Sequence, residues 1–423
     1  MGETWFPPRL WAEEDSNLRR LSQRVYSPSP LATRESALAE GDSTGGPGAR
    51  IAEVDRFDVL VVGAGPAGST AALRLARAGA LVLLCDRARF PRDKPCGGGL
   101  TGRAVRELPC DVGPVVEDRV AEVELRLGYG RRFERRADAP VVLMTQRRHL
   151  DAFLVEQAVG AGADFREGVR VVGLAAGPDG AEATVGAHRV RAEIVIGADG
   201  ANGTSAKALG LAGTPHYGVA FEGNVSYEAI PERRYRGRAI VELGVVPGGY
   251  GWVFPKGDHA NFGVGGWESE GPRLREHLRR LCDAHGVELG GLTDLHGRRL
   301  PIRRTSVVRS GPVILVGDAA GLVDPLSGDG IYEALVSARL AAAAILEGRL
   351  DDYEDELSAE LGRFAETSWQ AKLVLDRHPR VAFEIARLPG VWRVVAGLLT
   401  GDVTHPSDAR GFARLPLRVL ARL

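Results

Sequence analysis

The glycine spacing of one segment is suited to binding phosphate groups. The segment reads Gly63-Ala-Gly65-Pro-Ala-Gly68. In this spacing Gly63 makes a tight turn, Gly65 lets backbone amides approach a pyrophosphate, and Gly68 lets a helix pack closely on a strand. Asp86 ends the next apolar run, where a carboxylate can accept hydrogen bonds from a ribose. The sequence therefore predicts an adenine-dinucleotide site.

The elements around this segment come in the order that such a site requires. Residues 59–62 are a short apolar run typical of a strand that is buried on both faces. Residues 69–78 have helical spacing, and the N-terminus of such a helix can stabilise the negative charge of a phosphate. Residues 80–85 form a second apolar run. The glycine pattern alone could be a turn that binds nothing, but this order of elements favours the dinucleotide site.

Two further segments carry a carboxylate at the end of an apolar run. They are Asp199 in the segment 197–200 and Asp318 in the segment 316–330. Asp318 could hold a ribitol hydroxyl, and the helix that begins at Gly330 and Ile331 could direct its dipole at the pyrophosphate or ring O2 of a flavin. Each segment alone could be an ordinary turn. Together with the glycine segment they predict a flavin site.

Over residues 58–346 the sequence resembles the FAD-dependent monooxygenase and reductase superfamily of the p-hydroxybenzoate-hydroxylase type. The resemblance implies FAD as the cofactor, with an antiparallel substrate domain over the flavin ring. Arg147 and Asp151 match the R-x-x-hydrophobic-Asp element of the superfamily, which implies that Arg147 contacts the cofactor. A solvated arginine at a helix start is the alternative. The chain departs from the pattern at Gly203, where a serine is common, and this puts a phosphate or NADPH contact there in doubt.

Two motifs narrow the resemblance to the geranylgeranyl reductase family. They are Pro95-Cys96-Gly97-Gly98-Gly99-Leu100 and Tyr250-Gly-Trp252-Val-Phe254-Pro255-Lys256. The first implies a loop beside the flavin, with contacts from Cys96, Gly97 and Gly99. The second implies that Tyr250, Trp252, Phe254 and Pro255 line the substrate cavity. The family resemblance implies saturation of isoprenoid double bonds, on a polyprenyl diphosphate, a chlorophyll phytyl chain, an archaeal-type lipid or a quinone side chain.

The chemistry of an isolated alkene agrees with the aromatic motif. Direct hydride attack would leave an unstabilised carbanion, so we hypothesise that protonation comes before or together with hydride transfer from reduced flavin N5. The tertiary cation would be stabilised by the rings of Tyr250, Trp252 and Phe254, by about 1–2 kcal/mol each when desolvated. The rings could instead be core between two sheets. Cys96 could be a proton source or a gate, or simply a small residue in a tight loop.

The sequence predicts an α/β fold with a discontinuous Rossmann-type FAD-binding domain, an inserted antiparallel-sheet substrate domain and a helical C-terminus. The 423 residues are enough for more than one folding unit. The predicted parts are a flexible tail at 1–55, an FAD-binding domain at 56–110, 143–213 and 307–346, a substrate domain at 111–142 and 214–306, and a helical region at 347–423. Helices are expected at 100–108, 146–159, 273–285 and 331–346, and a hairpin at 120–143 is expected as an insertion in the parallel part.

Composition limits the partners. The net charge of -1 gives no sign of nucleic-acid binding, and four cysteines in a chain of this size favour a reducing cytoplasm over a disulfide framework. No run of about 18 apolar residues is present, so no membrane span is expected. The apolar C-terminal helices could lie on the cytoplasmic face of a membrane, cover a lipid tunnel or dock like ordinary helices. No metal site is predicted, and the oligomeric state is left open.

Several questions of function stay open at this point. With no second Rossmann unit, the electrons would come from transiently bound NAD(P)H or from a reduced carrier such as ferredoxin. A monooxygenase or halogenase on the same fold is one alternative function. A non-catalytic protein that binds prenyl lipids is another.

Overall fold

The computed structural model describes residues 54–210, 216–302 and 307–403. Its strands are β1 (Asp55–Val62), β2 (Val82–Asp86), β3 (Gly99–Thr101), β4 (Asp118–Val120), β5 (Glu122–Leu127), β6 (Arg131–Arg136), β7 (Val142–Met144), β8 (Asp164–Glu167), β9 (Val171–Gly177), β10 (Gly180–Val185), β11 (His188–Gly197), β12 (His216–Ser226), β13 (Arg238–Leu243), β14 (Tyr250–Pro255), β15 (His259–Trp267), β16 (Thr293–Ile302), β17 (Arg309–Ser310) and β18 (Val313–Leu315). Its α-helices are α1 (Pro66–Arg77), α2 (Gly102–Glu107), α3 (Arg147–Gly160), α4 (Ser205–Ala208), α5 (Leu274–Ala284), α6 (Gly317–Ala320), α7 (Ile331–Leu346), α8 (Tyr353–Leu357), α9 (Arg363–Arg377), α10 (Pro379–Ala386) and α11 (Pro389–Thr400).

The first sheet is mostly parallel and carries the glycine turn. Its main order is β17-β18-β11-β1-β2-β8, and the antiparallel strands β10 and β9 extend from β11. Alternate residues of β1 face two different cores. Val59 and Val61 pack beneath the helical layer that contains α1 and α7, whereas Leu60 and Val62 pack toward β9 and β10. Because both faces of β1 are buried, the apolar run has no polar face. The same packing holds the end of β1 in place, directly before α1.

The second sheet has the order β16-β12-β15-β14-β13-β5-β6, with only the β5–β13 pair parallel among the described residues. Helix α5 covers one face, where Leu278 and Leu281 pack with Val253 and Phe262. Because side chains alternate along a strand, Trp252 points to the opposite face from Val253. That face is turned toward the loop 95–99, which leads into the small third sheet, β3-β7-β4.

Two of the C-terminal helices begin at a proline. Pro379 and Pro389 are the first residues of α10 and α11, a position at which the missing N–H breaks no helical hydrogen bond. α11 docks on α2, and Arg106 of α2 donates a hydrogen bond of 3.0 Å to the Gly401 carbonyl oxygen. In the described ranges, no helix combines the length and the apolar character needed to cross a membrane.

The predicted fold class is confirmed, and most element limits differ from those expected by one or two residues. The helix expected at 331–346 has those bounds, and the one expected at 100–108 is shorter because residues 99–101 form β3. The hairpin of β5 and β6 is inserted in the chain between strands of the first sheet, and in space it joins the second sheet, because β5 pairs with β13. The domain limits stay a prediction. The boundaries at 213/214 and 306/307, and the tail except for its last two residues, lie outside the described residues.

Candidate functional site

The glycine turn after β1 is as tight as its spacing predicts. Gly63 has φ +104°, and a Cβ there would lie 2.4 Å from the carbonyl oxygen of Ala198. A Cβ at Gly68 would lie 1.8 Å from the Gly63 carbonyl oxygen. A side chain at either position would therefore push the turn off the strand and α1 off the turn.

Gly65 faces open space bordered by positive charge. A Cβ there would meet Arg92 Nη2 at 3.6 Å and Arg147 Nη2 at 3.8 Å, with no other atom that close. Gly65 is also the N-cap of α1, and no side chain caps this helix. Uncapped amides at a helix N-terminus opposite two guanidinium groups form a suitable site for a pyrophosphate.

The side chain of Arg147 is buried and paired with a carboxylate, so Arg147 is not a solvated arginine at a helix start. It is 4% exposed and forms a bidentate pair with Asp151, with distances of 2.7 and 2.8 Å. Burial lowers the pKa of Arg147, but Asp151 outweighs this and raises it overall. Asp151 also pairs with Arg92 at 2.9 Å. The α3 carboxylate therefore positions both guanidinium groups that face Gly65.

Asp86 and Asp199 bind backbone amides at the ends of their strands. Asp86 accepts hydrogen bonds from the amides of Ala64 and Ala88 at 2.9 and 2.8 Å. Asp199 accepts from the amides of Thr204 and Ser205 at 2.6 and 2.9 Å, at the start of the short helix α4.

Gly203 has a steric reason for its departure from the superfamily pattern. A Cβ there would lie 2.2 Å from Asp199 Cγ. A serine at this position would collide with the Asp199 carboxylate. Any phosphate contact here must therefore be made without a serine hydroxyl.

Asp318 and Gly330 lie together, at the junction of the two larger sheets. A Cβ on Gly330 would be 3.0 Å from Asp318 Oδ1. Asp318 forms an ion pair with Arg298 of β16 and lies 3.7 Å from Lys94 Nζ. Burial raises the pKa of Asp318, but these cations outweigh it and lower the pKa overall, so the carboxylate is ionised. The amide of Ile331 donates to Asp329 at 2.9 Å, so an acid already caps the start of α7.

The cysteine–glycine loop packs against the aromatic row of β14. The rings of Tyr250 and Trp252 are 5.9 Å apart edge to face, and those of Trp252 and Phe254 are stacked at 6.2 Å. A Cβ on Gly97 would lie 2.9 Å from Phe254 Cδ2, so only glycine allows the loop this close. Trp252 is 8% exposed, and its Nε1 donates to Asn261 at 2.8 Å. The row is therefore packed directly behind the loop.

Two oppositely charged side chains of the second sheet hold the same loop. Lys256 is 2% exposed, and its ammonium donates to the carbonyl oxygens of Gly97 and, at 2.9 Å, Thr145. Burial lowers the pKa of Lys256 to about 8. Glu222 is 8% exposed, and burial raises its pKa, while Lys256 and the Cys96 backbone amide partly oppose the shift. The peptide around Cys96 is thus bound on both sides by buried charge.

Two cavities meet at Asp93 and Lys94, which line both. The smaller, of about 300 Å³, is bordered by Gly63, Gly65 and Asp86. With its glycine turn and guanidinium groups it fits the adenosine diphosphate half of FAD. The larger, of about 840 Å³, lies beside Cys96 and has a mostly polar wall. Arg147, Glu222, Lys256 and Asn261 are part of this wall.

The structure gathers most of the predicted site residues around the loop 92–99 but does not place them all on one cavity. Gly63, Gly65, Asp86 and Asp199 line the smaller cavity, and Cys96 and Arg147 line the larger. The four residues predicted to line the substrate cavity do not border the larger cavity; they are Tyr250, Trp252, Phe254 and Pro255. Asp318 reaches the loop through Arg298, which also donates to the Pro95 carbonyl oxygen at 3.0 Å.

The sequence gives little signal for the charged residues that complete this site. Lys256 stands before Gly257 and Asp258, a sequence typical of an exposed turn. Glu222 and Arg298 lie in strands whose neighbours alternate in polarity. Two features could have drawn attention to Lys256. It ends the aromatic motif 250–256, and lysine occurs at just four positions, 94, 207, 256 and 372.

Comparison with known proteins agrees with this geometry. The family model described as FAD binding domain matches residues 56–356. A menaquinone reductase of Mycolicibacterium smegmatis is 33% identical over 394 residues, which cover 85% of this chain and 95% of that protein. Digeranylgeranylglycerophospholipid reductase 1 of Methanopyrus kandleri is 35% identical over 363 residues, 78% of this chain and 89% of that one.

A solved structure has the same fold over nearly the whole described chain. It is a geranylgeranyl bacteriochlorophyll reductase-like protein from Thermoplasma acidophilum, with a TM-score of 0.72 and 24% identity. The match covers 87% of this chain and 100% of that one. The dinucleotide turn, the cysteine–glycine loop and the aromatic row thus occur in a chain related to named reductases over most of its length. This chain belongs to the geranylgeranyl reductase family, within the FAD-binding flavoproteins.

Proposed function

We propose that this chain is an FAD-dependent reductase that saturates carbon–carbon double bonds of an isoprenoid. The observation that carries the proposal is the close packing of the Cys96 loop on the aromatic row of β14, next to the dinucleotide turn. The relatives named above support the same chemistry, since their names describe reductases of a prenylated quinone and of an isoprenoid lipid.

FAD is held by residues of both larger sheets in this proposal. Gly63, Gly65 and Gly68 form the turn for the pyrophosphate, Arg147 faces its charge, and Asp86 accepts from the adenosine ribose. Asp199, Asp318, Gly330 and Ile331 contact the remaining parts of the cofactor, and Cys96, Gly97 and Gly99 contact its ring region. Bound FAD, once reduced, supplies a hydride to the alkene.

The side chains around the loop have three tasks in the reaction. Tyr250 and Phe254, the less buried ends of the aromatic row, offer ring faces to a tertiary cation on the substrate. Trp252 keeps the row in place through its bond to Asn261. Lys256 fixes the loop, and therefore Cys96, relative to the row.

We further propose that NAD(P)H or a reduced carrier supplies the electrons. The larger cavity supports this, because its polar wall beside Cys96 suits a polar donor better than an isoprenoid chain. Contact with a membrane surface is also part of the proposal. Val381, Leu388 and Val395 of the C-terminal helical region are exposed apolar residues, and the expected substrate is a lipid.

The test of the function starts from the absorbance spectrum of the purified protein. The protein is then reduced without oxygen and incubated with geranylgeranyl diphosphate or with menaquinone, and the products are analysed by mass spectrometry. We expect a flavin spectrum and a product heavier by two hydrogens for each double bond reduced. An oxygenated or halogenated product, or rapid peroxide formation with no reduced product, would identify a monooxygenase or a halogenase instead. A colourless protein that still binds the lipid would indicate a carrier.

A further inference from the structure

A third cavity, of about 100 Å³, lies between the segment 321–325, the start of α7 and helix α9. Most of its wall is apolar, from Ile302, Leu322, Pro325, Leu361, Phe364 and Trp369. An apolar cavity of about 150 Å³ is enough to bind a benzene-sized molecule. The third cavity, at about 100 Å³, is smaller than this and has room for the few carbon atoms around one double bond of an isoprenoid chain.

Three carboxyl groups, Asp324, Glu333 and Glu366, line this apolar cavity. Glu366 is exposed and accepts a hydrogen bond from Gln370 Nε2 at 2.8 Å. Glu333 is 5% exposed, and its Oε2 has no hydrogen-bond partner among the described residues. The Nη2 atom of Arg103 lies 3.8 Å from Glu333 Oε1, which is too far for a hydrogen bond. The Arg103 guanidinium instead lies over the rings of Tyr332 and Phe364, at 4.2 and 4.5 Å. A buried carboxyl oxygen without a hydrogen-bond partner is costly and calls for a functional explanation.

The neighbouring acids Asp324 and Asp329 also have one carboxyl oxygen, Oδ2, without a partner among the described residues, but each stabilises the loop before α7 through its other oxygen. Asp324 Oδ1 accepts from the amide and the hydroxyl of Ser327, at 2.7 and 2.6 Å. Asp329 Oδ1 accepts from the amide of Ile331 at 2.9 Å. Glu333, in the first turn of α7, makes no such contact with the loop among the described residues. Its carboxyl group is available to a ligand in the cavity.

The surroundings of Glu333 favour the protonated form that an acid needs. Burial raises its pKa well above the usual value, Asp329 and Asp324 raise it further, and Arg103 partly opposes them. Glu333 comes two residues after Ile331, which packs in the same apolar cluster as Cys96. The carboxyl group thus lies near the part of the chain proposed to hold the flavin.

We propose that Glu333 is the acid that protonates the isoprenoid double bond, with the double bond held where the aromatic row meets this third cavity. The Tyr250 hydroxyl donates to the carbonyl oxygen of Ser327, in the loop whose Asp324 and Pro325 line the cavity. The inference rests on the proposed function. The O–H bond of Glu333 breaks, and the π electrons of the alkene form a C–H bond at the less substituted carbon. Positive charge develops on the tertiary carbon, and a hydride from reduced FAD forms the second C–H bond there. The product has gained two hydrogens, FAD is oxidised, and the Glu333 carboxylate regains a proton from solvent.

The first test compares single turnovers of reduced holoenzyme, followed by flavin reoxidation without oxygen. Glu333→Gln keeps the size and neutrality of the protonated acid but cannot donate its proton in this way. We expect the rate to fall at least 100-fold, within the range of about 10²–10⁴ for loss of a general acid. Glu333→Asp, which keeps the acid, should retain part of the rate. Glu360→Gln, the same change at an exposed position, should have no effect.

The second test does not depend on turnover. An isoprenoid ammonium analogue, with the positive nitrogen at the position of the tertiary carbon, is compared with a neutral analogue of the same shape. Binding to oxidised holoenzyme is followed by tryptophan fluorescence, because Trp369 lines the cavity. Wild type should prefer the ammonium analogue at least tenfold, and Glu333→Gln should lose most of this preference while keeping its FAD content.

The outcomes separate the inference from the proposed function. If wild type reduces an isoprenoid and Glu333→Gln does so at the same rate, Glu333 is not the acid, although the enzyme is a reductase. If wild type reduces no isoprenoid, both proposals fail. If Glu333→Gln does not fold, the rate of Glu333→Asp and the analogue preference of wild type test the role of Glu333 instead. Wild type that binds the ammonium and the neutral analogue equally well would overturn the inference.

Discussion

Replacing Lys256 by methionine tests whether buried charge positions the Cys96 loop. The change removes hydrogen bonds to the carbonyl oxygens of Gly97 and Thr145. At about 1.5–3 kcal/mol for each bond from a charged donor, this costs about 3–6 kcal/mol. Burial of the ammonium, however, lowers its pKa from 10.5 to about 8, which corresponds to about 3 kcal/mol against the charged form. The two effects largely offset, so Lys256→Met should lower the free energy of unfolding by only about 0–3 kcal/mol.

The same substitution should change how stability depends on pH. The pKa of Lys256 is lower in the folded chain, so the unfolded chain binds more protons between pH 8 and 10.5. The free energy of unfolding therefore rises with pH across this window in wild type, and Lys256→Met lacks this contribution. Lys94 and Lys372, whose pKa values burial also lowers to about 8, give the same trend in both proteins. The difference between wild type and variant should thus grow from pH 8 to pH 10.

The loop itself should respond more strongly than the fold. Without the ammonium, the Gly97 carbonyl loses its donor, so we expect FAD to bind at least tenfold more weakly and the Cys96 thiol to react faster with a thiol reagent. FAD titration, thiol labelling at Cys96 and urea unfolding at several pH values measure the three effects. Lys207→Met, at an exposed position, is the matched control. Unchanged FAD affinity and labelling rate in Lys256→Met would refute the positioning role.

The remaining predictions concern the dinucleotide turn and a buried histidine. Gly65→Ala should keep the free energy of unfolding within about 1 kcal/mol but weaken FAD binding, whereas Gly63→Ala, at φ +104°, should destabilise the fold itself; urea unfolding and FAD titration distinguish the two. Arg147→Met should lower the free energy of unfolding by about 3 kcal/mol, the low end for a broken buried pair, because Arg92 still contacts Asp151. The variant should also retain no FAD after gel filtration. Burial lowers the pKa of His285 to about 3, so the unfolded chain takes up a proton first and stability falls between pH 6.5 and 3; His285→Phe should flatten this fall in unfolding measurements at pH 7 and 4.5.

The dinucleotide turn could be predicted from sequence because its constraints are local. Gly63 and Gly68 are required by backbone atoms that are close in the chain or in the adjacent strand. The aromatic row could be predicted for a similar reason, since alternation along one strand places Tyr250, Trp252 and Phe254 on one face. In both cases a few neighbouring residues fix the geometry, and the chemistry follows from their types.

The charged side chains around the loop could not be predicted, because long-range pairing buries them. Lys256 becomes buried when the loop 95–99 of the first folding unit closes on the second sheet. Glu222 and Arg298 meet the loop only through the register of β12 and β16. A charged residue in an alternating strand normally faces solvent. Nothing near these residues in sequence indicates contact with a loop more than 120 residues away.

The division between a polar and an apolar cavity follows from the chemistry of the proposed reaction. A tertiary cation in contact with water would be captured as an alcohol before a hydride could reach it. The larger cavity, with Lys256, Glu222 and Asn261 in its wall, would admit that water. The third cavity has a mostly apolar wall, which disfavours such water. Hence the electron donor belongs in the polar cavity and the alkene in the apolar one.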